Sequence, residues 1–255
     1  MSASFENDPE FNDITPKPNS GRSFTLGKLL LIVATIVVLI ALLLPASRSA
    51  RPAARRAQCT NNLKQIALAL HNYEQDHKAL PPAYTMDANG RPLHSWRTLI
   101  LPYLEQESLY KKIDLSKPWN DPVNAAASAT KLAVYTCPAT VDSKNTTAYL
   151  AIVGPDGFLV PGRSRRFEEI TDGLSSTLAV IEASEEDAVP WMAPFDADAV
   201  MVMKLDTKAE LHHSGGTNAA FADGGVRFLR TDTPAPMRRA LLSISGNDND
   251  AVKEW

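Results

Sequence analysis

The residues best equipped for chemistry lie late in the chain. His212 and His213 are followed, with nine residues between the second of them and the next motif, by Asp223-Gly224. An imidazole and a carboxylate at the two ends of a hairpin could hold a cation, with His213 and Asp223 as ligands. Calcium prefers several oxygens, and one histidine with one aspartate supplies few. The alternative is structural: Asp223-Gly224-Gly225 makes a tight turn, and His213 hydrogen-bonds the returning strand. The structural reading is favoured, so no resident metal or other cofactor is expected, with calcium as the alternative. Ser214 stands beside His213 but lacks the Gly-x-Ser-x-Gly elbow of a serine hydrolase. No HExxH, phosphate-binding loop or dinucleotide fingerprint occurs. The expectation is a protein without catalytic activity, hydrolysis being the weak alternative.

Cys59 and Cys137 are the two cysteines. By themselves they are too few for a tetrahedral metal site. They suffice for one disulfide if the domain lies outside the cytoplasm; otherwise they are two buried thiols. Trp96, Trp119, Trp191 and Trp255 could line a carbohydrate groove or pack in the core.

The elements that must position these groups begin with an apolar block. From Leu29 to Leu44 every residue except Thr35 is apolar, with Lys28 in front and Arg48, Arg51, Arg55 and Arg56 behind. Extended from Phe24 to Ala46, with Lys28 snorkelling, the block reaches the roughly 20 residues that a bilayer-spanning helix needs. A cleaved secretory signal is the rival reading, but Pro45-Ala46-Ser47 makes a poor cleavage site. Residues 1–23 read as a polar, disordered tail. A literal count of basic residues would put the C-terminal part in the cytoplasm. Arginines that touch anionic head groups weaken that count, so charge leaves the orientation open.

Residues 47–80 read as a stalk helix. Leu63, Ile66, Ala67 and Leu70 share one face, Asn62, Lys64, Gln65 and Asn72 take the other, and Leu80-Pro81-Pro82 stops it. Pro45 and Pro52 should kink the rod if the helix runs through them. Residues 81–255 form one domain. Ser95 caps a short helix over Trp96–Leu101, and a second covers Leu104–Lys112. Strands are expected at Ala133–Thr136, Tyr149–Val153, Thr177–Ile181, Val200–Met203, Thr217–Ala222 and Val226–Arg230. Thr233-Pro234 then opens a helix reaching about Ser243. A long helix followed by an antiparallel sheet makes the class α+β. The formal net charge of −3 indicates no nucleic-acid surface, and the basic residues gathered beside the apolar block favour a lipid contact over a DNA contact.

Three stretches together resemble a known family. They are Phe24-Thr25-Leu26 with the apolar block and Ala53–Ile66; His94-Ser95-Trp96-Arg97 with Leu101–Gln106; and His213 with Asp223-Gly224, an H-x9-DG motif. They resemble the DUF1559-type prepilin-like proteins of planctomycete-type bacteria. The resemblance implies a pilin-like architecture with a long N-terminal helix. It also implies a single-pass protein of the cell membrane, its N-terminus cytoplasmic and its domain extracytoplasmic. The expected partners are the lipid bilayer and like pilin-type subunits that pack through the N-terminal helix.

This sequence departs from prepilins where they are processed. Ser23 replaces the glycine before the cut at Phe24, and Lys28 replaces a glutamate at the fifth mature position. A lysine there repels the neighbouring N-terminal amine that a glutamate would attract. The expectation is a chain that stays uncut, as a membrane-anchored structural or assembly subunit. The alternative is a membrane-tethered module that binds an external carbohydrate or cation.

Overall fold

The computed structural model describes residues 26–138, 145–205 and 211–246, without the side chains of residues 41–50. The chain divides into two compact units, Met1–Arg48 and Ser49–Trp255. Helix α1 (Leu26–His77) begins in the first and ends in the second. It is followed by strands β1 (Tyr84–Met86) and β2 (Pro92–Ser95) and short helices α2 (Trp96–Leu99), α3 (Glu107–Tyr110) and α4 (Ala125–Ser128). Then come β3 (Thr146–Thr147), β4 (Tyr149–Ala151), β5 (Leu178–Glu182), β6 (Val189–Pro190), α5 (Ala199–Met203), β7 (Gly216–Phe221), β8 (Val226–Arg230) and α6 (Ala235–Leu242). The class is α+β.

In the first unit, every described side chain from Leu26 to Ile40 is exposed. Thr35, the polar residue within the apolar block, donates its hydroxyl to Leu31 O at 2.7 Å, one turn back on the same helix. Among the described residues no helix is long and apolar enough to cross a membrane. The span expected from Phe24 to Ala46 begins before those residues, and the side chains of its last part, from residue 41 on, are not described. Ser23 and Phe24 of the degenerate processing site, and the polar tail 1–23, also lie outside them.

The second unit is built on a four-stranded antiparallel sheet in the order β4-β5-β7-β8. Cys59, Leu63, Ile66, Ala67 and Leu70 of α1 are buried at helical spacing in its core. This face belongs to the domain itself, which therefore starts at Ser49 and takes in helix that the sequence assigns to a stalk. Asn62, expected on the wet face, is buried with them. Its amide donates to Ala133 O (3.2 Å), Thr136 O (3.1 Å) and Tyr149 Oη (3.3 Å). A polar side chain inside an apolar helical face is affordable when its donors are satisfied in this way. The backbone stays helical through Pro45 and Pro52. The helix stops where Lys78 turns left-handed at φ 59° and its amide closes on Glu74 O at 2.7 Å.

Other elements depart from the sequence reading for local reasons. Val200–Met203 lies in helix α5, not a strand, because Asp198 caps it by accepting from Met201 N at 2.8 Å. A short apolar run alone does not distinguish the two. Ala133–Tyr135 is a 3₁₀ turn instead of a strand. Leu101–Leu104 is 3₁₀ as well, and left-handed Glu105 (φ 59°) separates it from α3, so no helix runs from Leu104 to Lys112. Helix α6 starts one residue late, capped by Pro234 without a side-chain bond.

The His94-Ser95-Trp96-Arg97 stretch is a structural knot. Ser95 caps α2 by accepting from Arg97 N, as expected. The Arg97 side chain is fully buried and its donors all find acceptors. Nε donates to Trp191 O, Nη1 to Tyr149 O and Asp196 Oδ1, and Nη2 to Ala193 O and Phe195 O. Asp196 Oδ1 also accepts from Trp96 Nε1 and Ala151 N, both at 2.9 Å. One ion pair thus ties α2, β4 and the 191–196 loop together. The His94 ring donates from Nε2 to Lys117 O at 2.7 Å.

Two outcomes follow from this knot. Arg97→Met strands the Asp196 carboxylate in the core and should cost about 3–5 kcal/mol in urea unfolding. Asp196→Asn keeps the accepting oxygen but leaves the buried Arg97 charge uncompensated, and should cost a comparable amount. Burial, only partly offset by the Lys117 carbonyl and by Asp114, holds the His94 pKa below its ordinary 6.5. The unfolded chain therefore takes up a proton there first as pH falls. Stability contributed by His94 is present above about pH 6.5 and lost below it. A urea-midpoint series from pH 7.5 to 5 should show a decline that His94→Gln flattens.

Candidate functional site

The register of the sheet sets up the site. Tyr149 pairs with Glu182 across β4 and β5, and Asn218 pairs with Phe228 across β7 and β8. Ile181 opposite Ala219 puts Glu182 beside Asn218. Residues opposite one another share a face, so Tyr149, Glu182, Asn218 and Phe228 form one row across four strands. Helix α1 lies over this row. Asn62 meets Tyr149, Thr60 Oγ1 donates to Asn218 Oδ1 at 3.3 Å, and the Arg56 guanidinium stacks 3.6 Å above the Phe228 ring.

Cys59 and Cys137 are joined by a disulfide at this seam, with Cα atoms 5.5 Å apart. The bridge ties α1 to the segment after the 3₁₀ turn at Ala133–Tyr135, one of the two readings the cysteine count left open. Next to it stands a buried acid–imidazole pair. His213 Nε2 lies 3.2 Å from Glu182 Oε2. Glu182, Cys59, Cys137 and His213 are 1%, 0%, 2% and 8% exposed. Asn218 Nδ2 donates to Glu182 Oε2 at 2.7 Å, and Thr217 Oγ1 donates to the Glu182 carbonyl. The potential ligand atoms of Cys59, Cys137, Glu182 and His213 all lie within 4.8 Å of one another.

His213 and Asp223 are not brought together. Strand β7 separates them, and six strand residues span about 20 Å. Asp223 serves the turn, as the structural reading expects. Its Oδ1 accepts from Gly225 N at 2.8 Å, and its Oδ2 lies 3.6 Å from Arg227 Nη2. Gly224 supplies the left-handed position at φ 83°, and its amide donates to Phe221 O at 2.9 Å. His71 of α1 reaches the same turn, its Nε2 donating to Ala222 O at 2.9 Å. Among the described residues the His213 side chain makes no hydrogen bond to the returning strand β8; its Nε2 lies against Glu182 of β5. Glu182 is the residue that sequence reasoning missed. A carboxylate closing the apolar run Leu178–Ile181 was its signal, because a strand that apolar is buried through its last residue.

The tryptophans divide. Trp96 and Trp191 are core residues, Trp119 is half-buried, and Trp255 lies outside the described residues. The indole nitrogen of Trp191 donates to Thr130 O at 2.9 Å. Buried rings of this kind offer no stacking platform to a sugar.

The disulfide closes a loop of 78 residues. In the chain-entropy picture, a loop that long contributes about 4 kcal/mol. Urea unfolding of the full chain, with and without a reductant and with chelator present, should show a loss of that order. A loss below about 1 kcal/mol would mean that α1 is held by packing alone.

Residues 48–153 match the model of a family described as a protein of unknown function (DUF1559). The match takes in the Cys59 block and the His94–Arg97 knot and stops before His213. No curated protein and no solved structure matches the chain. Over residues 48–153, then, this chain is similar to the DUF1559 family, in support of the part of the resemblance that Ala53–Ile66 and His94–Gln106 carry.

Proposed function

We propose that this protein is a non-catalytic, membrane-anchored subunit of pilin-like architecture. Residues Phe24–Ala46 would be held in the bilayer, and the domain carried outside the cytoplasm. One observation carries the reading: from Leu29 to Ile40 the helix exposes apolar side chains on every side. A helix apolar all round needs a non-aqueous neighbour, lipid or another helix. The Thr35 hydroxyl, spent on its own helix at Leu31 O, suits a medium that offers no hydrogen bonds.

The disulfide bears on orientation. Such bridges persist in oxidising compartments, which favours an extracytoplasmic domain over the raw count of arginines. Ser23 and Lys28 argue for an uncut chain that packs laterally against like helices.

Expression of the full chain in a bacterial host tests the anchor. It should remain in the membrane pellet through an alkaline carbonate wash and leave only with detergent. Ile36→Asp, with a charge costing about 3 kcal/mol near the centre of a span, should release most of it. Wild-type chain that the carbonate wash removes would overturn the proposal.

A further inference from the structure

We propose that the seam between α1 and the sheet is a redox-gated metal site. Reduction of Cys59–Cys137 would free two thiolates that, with His213 Nε2 and Glu182, bind one zinc-class divalent cation. The inference rests on the second unit alone and does not depend on the membrane reading.

Ligand chemistry selects the metal. Two thiolates, an imidazole and a carboxylate form a soft-to-borderline set suited to tetrahedral zinc and poor for calcium or magnesium. Zinc bonds of about 2.0–2.3 Å place tetrahedral ligands about 3.3–3.8 Å apart. The His213 Nε2 to Glu182 Oε2 separation of 3.2 Å is already at that edge length, and all four ligand atoms lie within 4.8 Å. Once the disulfide is open, the two sulfurs must part to that edge length while the imidazole and the carboxylate already stand near it.

The polar atoms here also have unmet needs. His213 Nε2 is buried and makes no hydrogen bond despite its nearness to Glu182, and Glu182 Oε1 accepts none among the described residues. Buried polar atoms almost always make hydrogen bonds, and a carboxylate oxygen and an imidazole nitrogen that lack them here are costly. A cation between them would satisfy both. The supports that orient metal ligands are in place: Asn218 holds Glu182 Oε2 and is itself held by Thr60.

The gate is balanced chemically. A dithiol reductant gives two electrons and two protons to the disulfide, breaking the S–S bond and becoming a cyclic disulfide itself. Zinc then displaces both thiol protons. Oxidation by a disulfide-class oxidant reverses the electron flow, closes the Cys59–Cys137 bond and expels the cation. Zinc itself changes no oxidation state. While the disulfide is closed, two of the four ligands are spent.

The test uses tag-free full chain in detergent, stripped of metal, with either Zn²⁺ or Co²⁺ as the probe. After reduction and anaerobic removal of the reductant, it should bind one equivalent of Co²⁺. The expected spectrum has the thiolate-to-cobalt band in the near ultraviolet and tetrahedral bands in the visible. Zn²⁺ should displace the Co²⁺, and the oxidised chain should bind neither. Glu182→Gln and His213→Gln, reduced, should each weaken zinc at least tenfold in chelator competition while near-ultraviolet circular dichroism stays native. Cys59→Ala/Cys137→Ala should abolish the thiolate band. If reduction unfolds the chain, zinc should restore its near-ultraviolet signal. Equal binding by oxidised and reduced chain, unchanged affinity in both single variants, or failure of zinc to restore an unfolded reduced chain would each overturn the proposal.

Discussion

The seating of α1 on the sheet is the contact from which the rest of the second unit takes its form. Cys59, Leu63, Ile66, Ala67 and Leu70 supply the apolar area. That area removes water from the seam but is non-directional. Direction comes from the polar residues set among them. Asn62 can meet Ala133, Thr136 and Tyr149 in only one register of helix on sheet. Thr60 on Asn218, His71 on Ala222 and Arg56 on Phe228 repeat the constraint along the helix. The disulfide locks it covalently. Apolar packing supplies the driving force, and these contacts supply uniqueness.

A second constraint organises the outer edge of the sheet, along β4. Arg97 gathers four carbonyls and one carboxylate from segments that are distant in sequence. A buried guanidinium with every donor satisfied contributes less to net stability than to fixing one arrangement of loops. The short elements around it have few hydrogen bonds of their own and could not hold position unaided. Seam and knot meet at Tyr149, whose hydroxyl accepts from Asn62 and whose carbonyl accepts from Arg97.

What was legible in the sequence follows this division. The β7–β8 hairpin was readable because Asp223-Gly224-Gly225 leaves the backbone few alternatives. The Ser95 cap and the helical face of α1 were readable because both depend on neighbours in sequence. Val200–Met203 was not, since an apolar run becomes helix or strand according to its cap, here Asp198. Asn62 was placed on the wrong face because its partners lie 71 to 87 residues away. The acid–imidazole pair escaped for the same reason. His213 is conspicuous, but its true neighbour is Glu182 on β5 and not the Asp223 of its own motif.

Helix α1 from Cys59 to Leu70 is core of the domain, not a stalk attached to it. Native-state hydrogen exchange on the oxidised full chain in detergent measures this directly. Amides of residues 62–70 should exchange only through global unfolding, at the same free energy as those of β5 and β7, and should follow them as urea is added. Earlier opening of the helix, at a lower free energy than the sheet and insensitive to urea, would contradict it.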